Sequence, residues 1–278
     1  MAGVGLVAIA FLAGCSPIGF VNRALPSAGI DVRRDIAYGE HPRQRLDVYR
    51  RANGVGPAPV VVFFYGGSWQ AGDRGHYPFV ADALASEGFV TVVPDYRTHP
   101  DVKFPVFMED AARVVRWCRD HVAELGGDPT RIYLMGHSAG GHIAVLLAVD
   151  ERYLEQAGLD RSAIRAVVGI AGPYDFLPFR SDTLRTLFGP EEGWPTTQPI
   201  NFIDGREPPM LLLHGSWDTT VGPGNARRLT DRICQHGGSA RAIFYPYVGH
   251  MTIIGAFSRP LRWIAPVLRD TVTFLKEN

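Results

Sequence analysis

Lysine is nearly missing, standing only at Lys103 and Lys276, and neither sign of charge is in excess: 28 basic residues face 28 acidic ones. A neutral chain has no electrostatic footprint for a phosphate backbone or an anionic lipid surface, so nucleic-acid binding is excluded as a leading reading. Cysteine is scarce as well. Cys15, Cys118 and Cys234 are too few and too scattered for a disulfide framework or for a zinc site of paired short spacings. Cys118 and Cys234 fall in helix-like stretches and read as inert core thiols. There is no repeat of fixed period and no low-complexity tract. What remains is ordinary for a folded chain: 278 residues, 46% hydrophobic and 20% charged, with 31 Gly and 21 Pro, a length that one α/β domain reaches.

An apolar run, VGLVAIAFLAG, occupies residues 4–14. It is too short to span a bilayer and has the length of a signal-peptide core. Leu12, Ala13, Gly14 and Cys15 resemble a bacterial lipobox, in which cleavage before the cysteine leaves it to carry lipid. That reading places the chain in the bacterial cell envelope, lipid-anchored at Cys15 and facing the periplasm. No Lys or Arg precedes Arg23, so a charged n-region is missing, and the alternative is an apolar tail on a cytoplasmic protein. Residues 1–30 are accordingly read as leader and tether, and residues 31–278 as the folded domain.

Past the tether, the pattern switches between short apolar runs and helical spacing. Asp31–Tyr38 and Arg45–Tyr49 read as amphipathic strands. VVVFF (Val60–Phe64), FVTVV (Phe89–Val93), Ile132–Met135, Ala166–Ile170, Met210–Leu213 and Ala242–Tyr245 read as strands, most of them apolar on both faces, which suits a covered parallel sheet. Helical patterns lie at Tyr77–Glu87, Val106–Leu125, Ala139–Val149, Asn225–His236 and Leu261–Lys276. Strand and helix alternating in this order predict a doubly wound α/β sheet. One connection breaks the rhythm: Gly172 to Pro209, rich in Pro, Leu and aromatic residues, is too long for a plain loop and predicts a lid or small cap.

The sharpest chemical signal is GHSAG, Gly136–Gly140, between the strand IYLM and a helical run. A Gly-x-Ser-x-Gly turn in that setting lifts a strained serine into the cleft at a helix N-terminus, which marks Ser138 as the nucleophile. A serine hydroxyl needs a base, and the base needs a carboxylate, in the chain order serine, acid, histidine. Of the later histidines, His142 lies on the helix that Ser138 opens, His214 ends a strand and His236 closes a helix, whereas His250 stands in YVGHM, read as a loop after the last strand. His250 is therefore the candidate base. Asp218, just past the strand of LLLHGSWD, is the candidate acid, with Asp175 of GPYDF as its rival. YGGSW (Tyr65–Trp69) follows VVVFF, and its Gly67 and Ser68 amides, with that of Ala139, form the candidate oxyanion hole. Trp69 and Trp217 are candidate substrate-pocket residues, with simple packing as the alternative. Asp73 and Arg74 read as a loop salt bridge. Tyr174, Phe176, Leu177, Phe179, Phe188 and Trp194 either roof the site or bury the cap on the body.

With YGGSWQAGDR, the DYR of Asp95–Arg97, GGDPTRIYLMGHSAGGH from Gly126, HGSWD and VGH in place, the chain resembles α/β-hydrolases of the carboxylesterase group. That group includes hormone-sensitive-lipase-like esterases, feruloyl-esterase-like proteins, kynurenine formamidases and isoprenylcysteine methylesterases. The resemblance departs at Tyr65, where most relatives have His, and at Ser68, where lipase-like members have a third Gly. It implies an α/β-hydrolase fold, a mostly parallel sheet with a short cap insertion, and a serine carboxylesterase that acts on a small neutral ester through an acyl-enzyme. No metal or other cofactor enters that chemistry. An arylformamidase or small-peptide hydrolase on the same triad is the alternative within enzymes, and a non-catalytic binding protein of this fold is the alternative outside them.

Overall fold

The computed structural model describes Asn22 and residues 28–278, so Cys15 and the leader reading lie outside the described residues. Eight strands form one sheet: β1 (Ile30–Ala37), β2 (Arg45–Arg51), β3 (Ala58–Phe64), β4 (Val90–Pro94), β5 (Gly127–His137), β6 (Val167–Ile170), β7 (Met210–Gly215) and β8 (Ala240–Tyr245). Their order is β1-β2-β4-β3-β5-β6-β7-β8. β2 is antiparallel to both β1 and β4, and every other pair is parallel. Strands β4, β6 and β7 are buried at every residue, as runs apolar on both faces require, while β1 alternates between half-buried and exposed at the edge.

The helices are α1 (Pro78–Ser86), α2 (Val106–His121), α3 (Ala139–Val149), α4 (Glu151–Gln156), α5 (Asp182–Phe188), α6 (Gly224–Gln235), α7 (His250–Gly255) and α8 (Val267–Glu277). Each residue of α3 is buried, so a helix apolar all round is sealed between the sheet and what covers it. The chain moves one way from β3 to β4, then crosses back over β3 to β5. Outside the carboxyl ends of neighbouring strands at such a reversal a crevice opens, and here the register Phe64↔Gly136 brings the loop after β3 beside the turn after β5.

Three expectations are corrected. The last helix starts at Val267 rather than Leu261, because Pro266 lacks the N–H and the freedom to continue a helix through that stretch. His250 is the first residue of α7 rather than a loop residue. Cys234 is exposed, while Cys118 is buried as expected. The segment after β6 is ordered as α5 with two 3₁₀ turns, Glu191–Thr197 and Pro199–Phe202. Tyr174, Phe179, Phe188 and Trp194 bury it against the body, with Phe179 stacked on Phe188 at 4.8 Å.

Candidate active site

Ser138 caps α3 with φ 55° and ψ −122°, a conformation that costs about 1–3 kcal/mol for a residue with a side chain. Its neighbours hold it there. A Cβ at Gly136 would sit 2.0 Å from the Gly140 carbonyl oxygen, and one at Gly140 would sit 2.0 Å from that of Phe64. Only glycine permits a turn this tight against β3. The Ser138 amide donates to the Ile170 carbonyl at 2.8 Å, tying the turn to β6 as well.

The structure brings Ser138, His250 and Asp218 together. His250 Nε2 lies 2.8 Å from Ser138 Oγ, and His250 Nδ1 lies 2.7 Å from Asp218 Oδ2. Asp218 Oδ1 accepts the amides of Thr220 at 2.9 Å and Val221 at 2.8 Å. Burial alone would raise the Asp218 pKa, but hydrogen bonds from His214, His250 and the Val221 amide outweigh it and hold the carboxylate well below its usual range. Asp175 is engaged elsewhere, bonded by the Arg228 guanidinium through both its carboxylate and its carbonyl.

Two further histidines support this arrangement, and sequence reasoning gave neither that place. His214 Nε2–H donates to the Val221 carbonyl at 2.8 Å and also lies 3.3 Å from Asp218 Oδ2. His137 Nε2–H donates to the backbone carbonyl of His250 at 3.0 Å, and burial pushes its pKa down to about 3, so it stays a neutral strut. The signal in the sequence was position: both adjoin a candidate residue or the end of its strand.

Around the loop after β3, Gly67, Ser68 and Trp69 all have positive φ, at 143°, 53° and 58°. Ser68 and Ala139 line the cleft above Ser138, and Gly67 does not. Gly67 turns its carbonyl to the amides of Gln70 and Ala71. Among the described residues the Gly67 and Ser68 amides meet no acceptor, and the Ala139 amide, in the first turn of α3, has no intrahelical one. Of these free amides, those of Ser68 and Ala139 belong to residues that line the cleft, where a developing oxyanion would need its donors.

Tyr65 sits beneath them, stacked between Tyr77 and Tyr96 at 5.5 and 4.9 Å. Its hydroxyl donates to Asp95 Oδ1 at 2.7 Å and accepts from Arg43 at 3.0 Å, while Tyr96 donates to its carbonyl at 2.8 Å. Arg74 joins Asp95, Asp47 and Asp35. It does not pair with Asp73, which instead accepts the Gly75 amide.

Between Ser138 and the cap lies a cleft of about 420 Å³. Phe176, Leu177, Phe179, Leu184 and Val221 give it apolar walls, and Trp69 lines it as well. Trp69 is buried edge-on against Phe188 and His142, each at 5.0 Å. His142 donates from Nε2 to the Thr197 carbonyl of the cap at 2.8 Å, and burial pushes its pKa down to about 4. Trp217 is 63% exposed and lines no part of this cleft. Among the described residues, no group of three or more His, Cys, Asp or Glu side chains is placed to hold a metal ion.

Residues 46–233 match the BD-FAE family. The chain belongs to that family. It is 32% identical over 266 residues to a probable isoprenylcysteine alpha-carbonyl methylesterase, ICMEL1, of Arabidopsis thaliana, covering 87% of this chain and 55% of that one. It is 34% identical over 244 residues to esterase LipC of Mycobacterium tuberculosis, covering 81% and 59%. The BD-FAE chain thus spans little more than half the length of these curated relatives. Among solved structures, butyrate-bound esterase 2 of Thermogutta terrifontis matches with a TM-score of 0.73 at 25% identity, covering 90% of this chain and 94% of that one. A truncated carbohydrate esterase from gut microbiota, at 22% identity and a TM-score of 0.77, shares the fold, covering 89% and 95%. The expected α/β-hydrolase fold and esterase-family membership are therefore met.

Proposed function

We propose that this chain is a serine carboxylesterase that hydrolyses a neutral ester through an acyl-enzyme. The observation that carries the reading is the single imidazole of His250, with Ser138 Oγ at 2.8 Å on one nitrogen and Asp218 Oδ2 at 2.7 Å on the other. His250 takes the Ser138 proton as Oγ attacks the ester carbonyl, and Asp218 holds the tautomer that leaves Nε2 free to accept. The oxyanion gathers charge beside the Ser68 and Ala139 amides, with Gly67 holding the turn that aims them. Breakdown of the tetrahedral adduct sends the proton from His250 to the leaving alkoxide. A water, deprotonated by the same imidazole, then releases the acid and restores Ser138. The apolar cleft walls and the names of the esterase relatives support an ester over an amide.

The test is covalent labelling with a fluorophosphonate followed by peptide mass spectrometry. The adduct is expected on Ser138; an adduct on Ser68 or Ser216 overturns the assignment. Asp218→Asn is expected to lower kcat about 10,000-fold by favouring the wrong tautomer, and Asp175→Asn far less. Equal losses at both positions would remove Asp218 from its role.

We propose, too, that the precursor is lipidated at Cys15 and faces the periplasm. Labelled palmitate should enter the wild type and not Cys15→Ala in a Gram-negative host. The same unlabelled, soluble behaviour in both would overturn the lipid anchor at Cys15.

A further inference from the structure

Six large apolar side chains are strongly exposed among the described residues, and four of them belong to segments that build the site: Leu177, Trp217, Tyr247 and Met251. Leu177 borders the cleft. The other three stand apart from it: Trp217 on the loop that carries Asp218, Tyr247 on the loop that leads into α7, and Met251 in the first turn of α7 after His250. Trp217 directly precedes Asp218, Met251 directly follows His250, and Tyr247 lies three residues before His250. Their exposures are 63%, 59% and 75% in that order. The Trp217 and Tyr247 rings meet edge to face, with centroids 5.0 Å apart and planes at 83°. The two loops are laced together, since the Trp217 amide donates to the Val248 carbonyl at 3.0 Å and the Tyr247 amide to Ser216 Oγ at 3.0 Å. The Tyr247 hydroxyl has no partner among the described residues.

An isolated exposed apolar side chain means little, whereas an exposed, mutually packed aromatic pair on the two segments that hold a reactive centre offers a binding surface. Its occupant follows from the chemistry. An ester has an acyl side and an alcohol side, and the imidazole must reach the alcohol oxygen to protonate it as the C–O bond breaks. The alcohol therefore leaves past His250, whose Asp218 partner directly follows Trp217 and whose approach loop carries Tyr247, and the acyl group takes the cleft beside Ala139 and the cap. We infer that Trp217 and Tyr247 form the leaving-group subsite, and that the substrate is the ester of a ring-bearing alcohol. A flat ring covers the indole face, and the free phenol meets a polar substituent of that ring. This assignment rests on the Ser138 and His250 roles proposed above.

The experiment compares three butyrates of primary alcohols, so that acyl group and leaving-group acidity stay nearly constant: ethyl butyrate, benzyl butyrate, and methyl glucoside butyrylated on its primary hydroxyl. The wild type is expected to favour at least one ring ester over the ethyl ester by about tenfold in kcat/KM, the scale of one good aromatic contact. Trp217→Ala should collapse that ratio, chiefly through KM, and Trp217→Phe should retain most of it. Tyr247→Ala, on the other loop, should lower the ratio without touching the neighbour of Asp218. Tyr247→Phe should weaken the glucoside arm alone if the ring is a sugar, and neither arm if it is aryl. No ring preference in the wild type overturns the subsite. So does a ratio unchanged in both alanine variants, or a parallel fall on all three esters. No turnover of any of the three, or turnover that survives Ser138→Ala, overturns the hydrolase reading instead.

Discussion

On one side of Ser138 the loop 65–74 rests on charge, and on the other side the segment after β6 rests on aromatic rings. Beneath the loop, Arg43, Arg74, Asp47 and Asp95 join Tyr65 and Tyr96 in directed hydrogen bonds. Above the cleft, Phe176, Phe179, Phe188 and Trp194 pack with no polar bond between them. Directed bonds fix angles, as N–H groups aimed at an oxyanion require. Aromatic packing fixes volume and tolerates exchange, as a wall that selects among acyl groups requires. The loop is thus held chiefly by its polar floor, and the cleft wall chiefly by packed rings, with the His142–Thr197 bond joining cap to body, so the two regions should respond to different substitutions.

Arg74→Ala is the harshest test of that division. It leaves Asp47 and Asp95, whose side chains are 5% exposed, without their shared cation. Removing one partner of such a buried pair costs about 3–5 kcal/mol, less whatever the partly open Arg74 edge returns to solvent. Chemical denaturation should show the loss, and turnover of short and long acyl esters should fall in parallel. A variant of native stability would mean that the loop does not depend on its polar floor.

The junction of the two regions responds to pH. His142 and His137 have folded pKa values of about 4 and 3, below the ordinary value near 6.5, so the unfolded chain binds more protons between those limits. Their contribution is complete above about pH 6.5 and falls as the pH drops towards 4, by up to about 1.4 kcal/mol per pH unit for each histidine. Melting curves from pH 7 to 4.5 should show this slope, and His142→Gln should roughly halve it. An unchanged slope would remove His142 from the clasp between α3 and the Thr197 carbonyl.

The gentlest test is on the aromatic side. Phe176→Ala should move the ratio of octanoate to acetate turnover by about threefold, worth roughly 0.7 kcal/mol, where Arg74→Ala leaves that ratio alone. If both variants shift the ratio equally, the division fails.

Much of this was legible because its causes are local. Strands β3, β4 and β7 announce themselves as apolar runs, and the turn at Ser138 needs its glycines within five residues. The polar floor has no local signature: Arg74 meets partners 39, 27 and 21 residues away, and only the folded sheet brings them together. The start of α8 was readable at Pro266, where helical spacing outvoted the proline. The short helices α4 and α7 fall below the length at which periodicity separates them from loops. Tyr65, an anomaly in the sequence, becomes intelligible once Asp95 lies under its hydroxyl.

Gly136 and Gly140 have a consequence for how this chain can change. Any side chain at either position would overlap backbone rather than movable side-chain atoms, so no compensating substitution nearby makes room. These sites are closed to stepwise variation whatever amino acid is offered, small or large, polar or apolar. The exposed Trp217 and Tyr247, by contrast, border solvent and can be exchanged without repacking. Lineages that diverge in substrate would therefore do so along the rim, while the turn beneath Ser138 passes through unaltered.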